Sequence, residues 1–172
     1  MALKVIKQRQ ILGLSRKGFY VSPPILIGAN SAILLIVGII FARRELGFWD
    51  GISITIGAFL LTMFFISIYR TRKIKQIHMK FGRVDELVTG GSYAIVRHPN
   101  YTGVILMNIA FLLFFRTLWL VPVISFFTWL WYLEAKYEET ELIAKFGIQY
   151  KNYAKTTGMF SPKLFKPKNI HD

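Results

Sequence analysis

The chain has 172 residues, of which 53% are hydrophobic and 16% aromatic, with 22 Lys and Arg against 9 Asp and Glu, a formal charge of +13 and no cysteine. Its mean hydropathy of +0.42 is well above that of an ordinary soluble domain, and its length suits one structural unit of a few spanning helices and their loops. The missing cysteines exclude disulfides, thiolate nucleophiles and Cys-based zinc sites, while basic residues placed beside long apolar runs point to anionic lipid headgroups rather than nucleic acid.

In chain order, residues 1–24 hold Lys4, Lys7, Arg9, Arg16 and Lys17 with no acid. Leu3, Ile6, Ile11, Leu12 and Leu14 among them leave two readings open, an amphipathic helix on the membrane surface or a disordered basic arm. The uncharged run 25–42 is long enough for a bilayer core of about 30 Å at about 1.5 Å per residue. It lacks an A-x-A cleavage pattern and reads as an uncleaved anchor. A second uncharged run, 51–69, has Trp49 and Tyr69 near its ends as interfacial aromatics. The apolar stretch from Tyr101 to Leu133 is too long for one span and is interrupted at Arg116-Thr117, so two spans are expected, 101–115 and 117–133. One continuous helix would instead bury Arg116 in lipid.

The expected fold is therefore an all-α integral membrane protein with about four transmembrane helices, the last two a hairpin, as a single domain over 1–172. Residues 70–100 hold seven basic side chains against Asp85 and Glu86, whereas the loop 43–50 is balanced. Positive charge thus places both termini, the loop 70–100 and the segment 134–172 in the cytoplasm, at the plasma membrane in a bacterium.

The polar run LVTGGSYAIVRHPNYTG at 87–103 crowds glycine, aromatic and polar residues against the third span, on that cytoplasmic side. Gly90-Gly91 permits a tight turn or close approach to a ligand. Pro99 suits a first helical turn and holds His98 extended before it, either as a structural hydrogen-bonder or with its ring toward a ligand. With only His78, His98 and His171, no metal site is expected. Further on, Glu134 and Glu138 stack four residues apart, either as a solvated face or as a cation-binding one, and Lys136 points the other way. Glu141 can pair with Lys145, Gly147 suits a helix cap, and Tyr150 and Tyr153 either dock the tail or serve as interfacial aromatics.

Taken as a pair, LVTGGSYAIVRHPNYTG at 87–103 and EETELIAKFGIQYKNY at 138–153 resemble the isoprenylcysteine carboxyl methyltransferase family, with phospholipid N-methyltransferases as wider relatives. The resemblance covers roughly residues 70–165. It implies an S-adenosylmethionine-dependent methyltransferase that holds its cofactor between the last membrane hairpin and the cytoplasmic loops, without a Rossmann fold. Carried over position by position, it implies cofactor contacts from Leu87, Val88, Tyr93, His98, Pro99, Asn100, Tyr101 and Glu138, with His78 aligned to an upstream polar position. Asp85 and Glu86 fall in the same strip. One departure bears on the acceptor: four residues before the matched glutamate, carboxyl methyltransferases of the family place an arginine, and this chain has Glu134. An acid there repels a carboxylate unless Lys136, Arg97 or another base takes over. It suits an amine, phenol, enol or thiol on a lipophilic small molecule, with Glu134 as catalytic residue or selector. Two other readings stay open, an NADPH-dependent reductase like the sterol reductases, which carry a similar RHPNY run, and a non-enzymatic membrane scaffold. Membrane lipid is an expected partner, and the oligomeric state is not legible.

Overall fold

A computed structural model describes residues 22–43, 45, 47–73 and 87–163. These residues form α1 (Pro23–Phe41), α2 (Asp50–Lys73), a short 3-10 helix (Gly91–Ala94), α3 (Pro99–Phe115), α4 (Leu120–Phe146) and α5 (Ile148–Thr156). Among them there is no strand, only an isolated parallel bridge between Val96 and Gly158. Residues 1–21 and 74–86, the latter including His78, Asp85 and Glu86, lie outside the described residues.

Both α1 and α3 begin on proline, which gives up no hydrogen bond in a first turn. The apolar helices Pro23–Phe41 and Asp50–Thr71 are each long enough to cross a membrane, and Pro99–Phe115 is a shorter apolar helix. The expected runs 25–42, 51–69 and 101–115 thus lie within or against α1, α2 and α3. The expected start of the last helix at residue 117 is corrected: Thr117–Trp119 form a turn, with the Leu120 and Val121 N–H groups bonded to the Thr117 and Leu118 carbonyls, and α4 begins at Leu120. It then runs unbroken to Phe146, so the change at Leu133 is one of polarity and not of backbone.

The interruption at Arg116 is a helix terminus. Its backbone is left-handed (φ 51°), which stops α3, and its N–H bonds back to the Leu112 carbonyl. The guanidinium reaches the Asp50 carboxylate at 2.8 Å and the Arg43 and Glu45 carbonyls at 2.6 and 3.0 Å. The loop before α2 and the turn after α3 are thereby tied together at one end of the bundle.

Helix α3 sits between the others. Ser53 and Gly57 near the start of α2 meet Leu113 and Phe114 near the end of α3, and Ser67 and Thr71 near the end of α2 meet Pro99 and Asn100 at the start of α3, so the two helices are antiparallel. Asn30 and Gly38 of α1 meet Asn108 and Phe115 in the same order, so α1 and α3 are parallel. Small residues set the approach, since a Cβ on Gly103 would sit 3.3 Å from both Phe64 and Ser67. The centre is Val104, Met107, Phe127 and Trp131, closed by Leu26, Leu61, Phe64 and Tyr101. One polar pair crosses this apolar interior: the fully buried Asn30 and Asn108 amides exchange hydrogen bonds of 2.7 and 3.2 Å. Elsewhere α1 and α2 turn apolar side chains outward, among them Ile33, Ile36, Ile40, Ile56, Phe59 and Phe65, as lipid contact requires. These directions bring the starts of α1 and α3, the end of α2 and the polar half of α4 to the same end of the bundle.

Candidate functional site

At that end, the chain before α3 is held by the segment that follows α5. Arg97 and His98 donate their backbone N–H groups to the Gly158 and Met159 carbonyls at 2.8 and 3.2 Å, and the Thr102 hydroxyl reaches the Phe160 carbonyl at 3.2 Å. Gly158 is needed in this strap, because a Cβ there would collide with the Ser161 carbonyl. The Arg97 guanidinium adds bonds to the Ala154 carbonyl at 3.1 Å and to the Thr157 carbonyl. Gly147, with φ 56°, ends α4 through a bond to the Ile143 carbonyl and starts α5. From α5, Tyr153 donates to the Tyr93 carbonyl at 2.6 Å and Tyr150 is buried, so both dock the tail.

Helix α4 presents a buried stripe at four-residue spacing, Phe127, Trp131, Ala135 and Glu139. Because this stripe continues past the apolar half, it carries a carboxylate inward. Glu139 accepts from Arg97 Nε at 2.7 Å and lies 3.3 Å from His98 Nε2, while Glu138 lies 3.3 Å from His98 Nδ1. The imidazole thus sits between two carboxylates and is itself stacked on Tyr101, with ring centroids 5.5 Å apart and planes 4° from parallel. Tyr101 leans in turn on Trp131 at 5.1 Å, so the ring column starts from the core.

The electrostatics follow from this geometry. Burial disfavours the His98 cation, but the hydrogen bonds and charges of Glu138 and Glu139 outweigh it and hold the imidazole above its usual 6.5. Burial would raise the Glu139 carboxyl, but hydrogen bonds from His98 and Arg97 bring it from 4.5 down to about 2. Tyr153 is pushed up to about 12, by burial first and then, against the pull of Arg97, by the Glu139 charge. Burial and then the Glu138 charge push Tyr93 upward as well. Each phenol therefore stays neutral near pH 7, and Glu139 stays ionised.

Tyr93, Arg97, His98, Pro99, Asn100, Tyr101 and Glu138 line a cavity of about 90 Å³. That holds a fragment such as a ribose or an amino-acid head, well short of the roughly 300–1,000 Å³ of a pocket enclosing a whole ligand. The side chains of Tyr93, His98, Pro99, Asn100, Tyr101 and Glu138 are thus brought together around one cavity. Leu87 and Val88 are half-buried just before the glycine turn and do not line this cavity. Glu134, one turn before Glu138 on α4, is half-buried and outside the lining. Gly91, with φ 62°, makes the turn that only glycine takes readily. No group of three or more potential metal ligands occurs among the described residues.

Residues 53–144 match the isoprenylcysteine carboxyl methyltransferase (ICMT) family. The chain belongs to that family. It is accordingly a membrane methyltransferase, and α1 and α2, apolar and long enough to span, agree with that assignment. The match runs from the first turns of α2 through the cavity-lining residues to Ala144, so α5 and the strap lie beyond it. No curated protein and no solved structure matches the chain significantly.

Two functional groups escaped the sequence reading. Arg97 reads from the sequence as part of the polar run and as a substitute base for a carboxylate acceptor, whereas its guanidinium is committed to Glu139 and to two tail carbonyls. Glu139 was overshadowed by its neighbour. Its signal was the four-residue spacing from Phe127 and Trp131, which marks the inward face of α4.

Proposed function

We propose that this ICMT-family protein uses S-adenosylmethionine to methylate a lipophilic small molecule, with the cofactor held at the cavity formed by Tyr93, His98, Pro99, Asn100, Tyr101 and Glu138. The observation that carries this is the meeting of a carboxylate and two aromatic rings in one polar cavity at the end of a membrane bundle. Those groups suit a sulfonium and its amino and ribose substituents: Tyr93 and Tyr101 offer cation–π faces, and Glu138 accepts hydrogen bonds. When bound, the cofactor supplies an electrophilic methyl group. The protein's task is then to align an acceptor and exclude water. His98, flanked by two carboxylates that favour its protonated form, acts as a hydrogen-bond donor that fixes Glu138.

Glu134 lies one turn from Glu138, at the position where the resemblance leads one to expect arginine. Among the described residues, Arg97 is bonded to Glu139 and Lys136 is exposed. An acid at that position favours an amine, phenol, enol or thiol over a carboxylate as the acceptor, with Glu134 orienting it or taking its proton. In the membrane, α1, α2, α3 and the first half of α4 are the four spans, and positive charge places the cavity and both termini on the cytoplasmic side.

Calorimetry of detergent-purified protein with S-adenosylhomocysteine, S-adenosylmethionine and NADPH tests the reading. The two nucleosides should bind and NADPH should not. Binding of NADPH alone would overturn the reading, and binding of none would favour a scaffold.

A further inference from the structure

Glu139 does not itself line the cavity, but it bonds two residues that do, Arg97 and His98, and that end of the molecule converges on it. Its side chain retains 10% of its exposure, against 28% for Glu138. One of its oxygens, Oε1, receives both Arg97 Nε at 2.7 Å and His98 Nε2 at 3.3 Å. Arg97 in turn bonds the Ala154 and Thr157 carbonyls, and His98 stacks on Tyr101 and faces Glu138. Removing a buried anion from such a set leaves a guanidinium and an imidazole competing for one remaining carboxylate.

We infer that Glu139 is a positioning residue for the methyl-donor site: it fixes the His98 ring between Glu138 and Tyr101 and, through Arg97, pins the Thr157–Phe160 strap against the start of α3. This rests on the cofactor reading above and extends it to a group that touches no ligand. The groups facing His98 and Glu139 are Arg97 and Tyr93 from the chain before α3, Tyr101 from α3, Glu138 from α4, and Tyr150 and Tyr153 from α5. Of these described groups, the two glutamates are the anions that hold an imidazolium. Losing one should return His98 toward its ordinary titration and free its ring to turn. Glu138, no longer fixed by a charged donor, would then lose its orientation toward the cavity.

Glu139→Gln keeps the shape of the side chain and removes its charge. In the folded variant, S-adenosylhomocysteine binding should weaken about ten- to a hundredfold, the range set by one charge-assisted hydrogen bond. By NMR of ring-labelled histidine in nanodiscs, the His98 midpoint should also move down in pH. With three histidines in the chain, a His98→Ala spectrum assigns that signal. A purely structural role for Glu139 would lower the melting temperature without moving the His98 midpoint of the folded protein. Wild-type affinity together with a wild-type midpoint would overturn the inference. If Glu139→Gln does not fold, the wild-type titration decides: a midpoint above 6.5 supports the clamp, and one at or below it refutes it. Absence of nucleoside binding to the wild type would defeat the cofactor reading alone, because the histidine titration still tests the clamp.

Discussion

Asn30 and Asn108 are the sharpest test of the helix packing that positions the site. Each amide donates to the other, at 2.7 and 3.2 Å, and neither residue has exposed surface. Side-chain hydrogen bonds between membrane helices contribute about 0.6 kcal/mol each on average and up to about 1.7 kcal/mol. Two of them therefore give a coupling of about 1 kcal/mol. Truncating one partner also strands the other amide in an apolar interior, which costs a further 1–3 kcal/mol or so. Asn30→Ala and Asn108→Ala should each destabilise the protein by about 2 kcal/mol, and the double variant by about 1 kcal/mol less than their sum. Reversible unfolding in bicelles, followed through the four tryptophans, gives the cycle directly. Additive single effects, within about 0.3 kcal/mol, would refute the pairing and the α1–α3 register built on it.

The Arg97–Glu139–His98 cluster predicts a defined pH window. Glu139, lowered on folding, stabilises fully above its unfolded 4.5 and loses this as pH falls toward about 2; His98, raised on folding, stabilises fully below its unfolded 6.5 and loses this as pH rises through its folded value. After correction for intrinsic exchange, amide protection of Arg97 and His98 should peak between those two limits and fall on both sides, and protection still rising well above neutral pH would contradict the clamp. Glycine packing gives a paired prediction: Gly103→Val, which crowds Phe64 and Ser67, should cost about 1–3 kcal/mol, whereas Gly28→Val, with open space around it, should stay within about 0.5 kcal/mol. Equal melting temperatures for the two variants would show that α2 and α3 do not approach as closely as described.

Much of this architecture was legible because lipid enforces long uncharged runs, and the runs 25–42 and 51–69 could hardly be anything but helices. Arg116 was legible as a break because a cation within an apolar stretch needs partners, which Asp50 and two carbonyls provide. Gly147 announced a cap, and the crowded run 87–103 marked out residues that line the cavity. The strap from Thr157 to Phe160 was not readable, since it holds Arg97 and His98 through backbone groups that leave no side-chain pattern. Nor was the Asn30–Asn108 pair, because each amide alone is a tolerated polar residue and their 78-residue separation encodes no register. Glu138 and Glu139 are chemically identical neighbours, and only the helical turn of about 100° between them sends one to the cavity and the other inward.

The central claim is that methyl groups pass through this cavity to a lipophilic acceptor, and label transfer measures it most directly. Purified protein in nanodiscs is incubated with methyl-labelled S-adenosylmethionine and lipids bearing amine, phenol, thiol or carboxylate groups, and the organic phase is counted. The account predicts label in a non-carboxylate acceptor, with transfer reduced at least tenfold in folded Glu138→Ala and His98→Ala proteins, the loss expected for one charge-assisted contact. Wild-type transfer rates in both variants, or label entering the carboxylate acceptor alone, would contradict it.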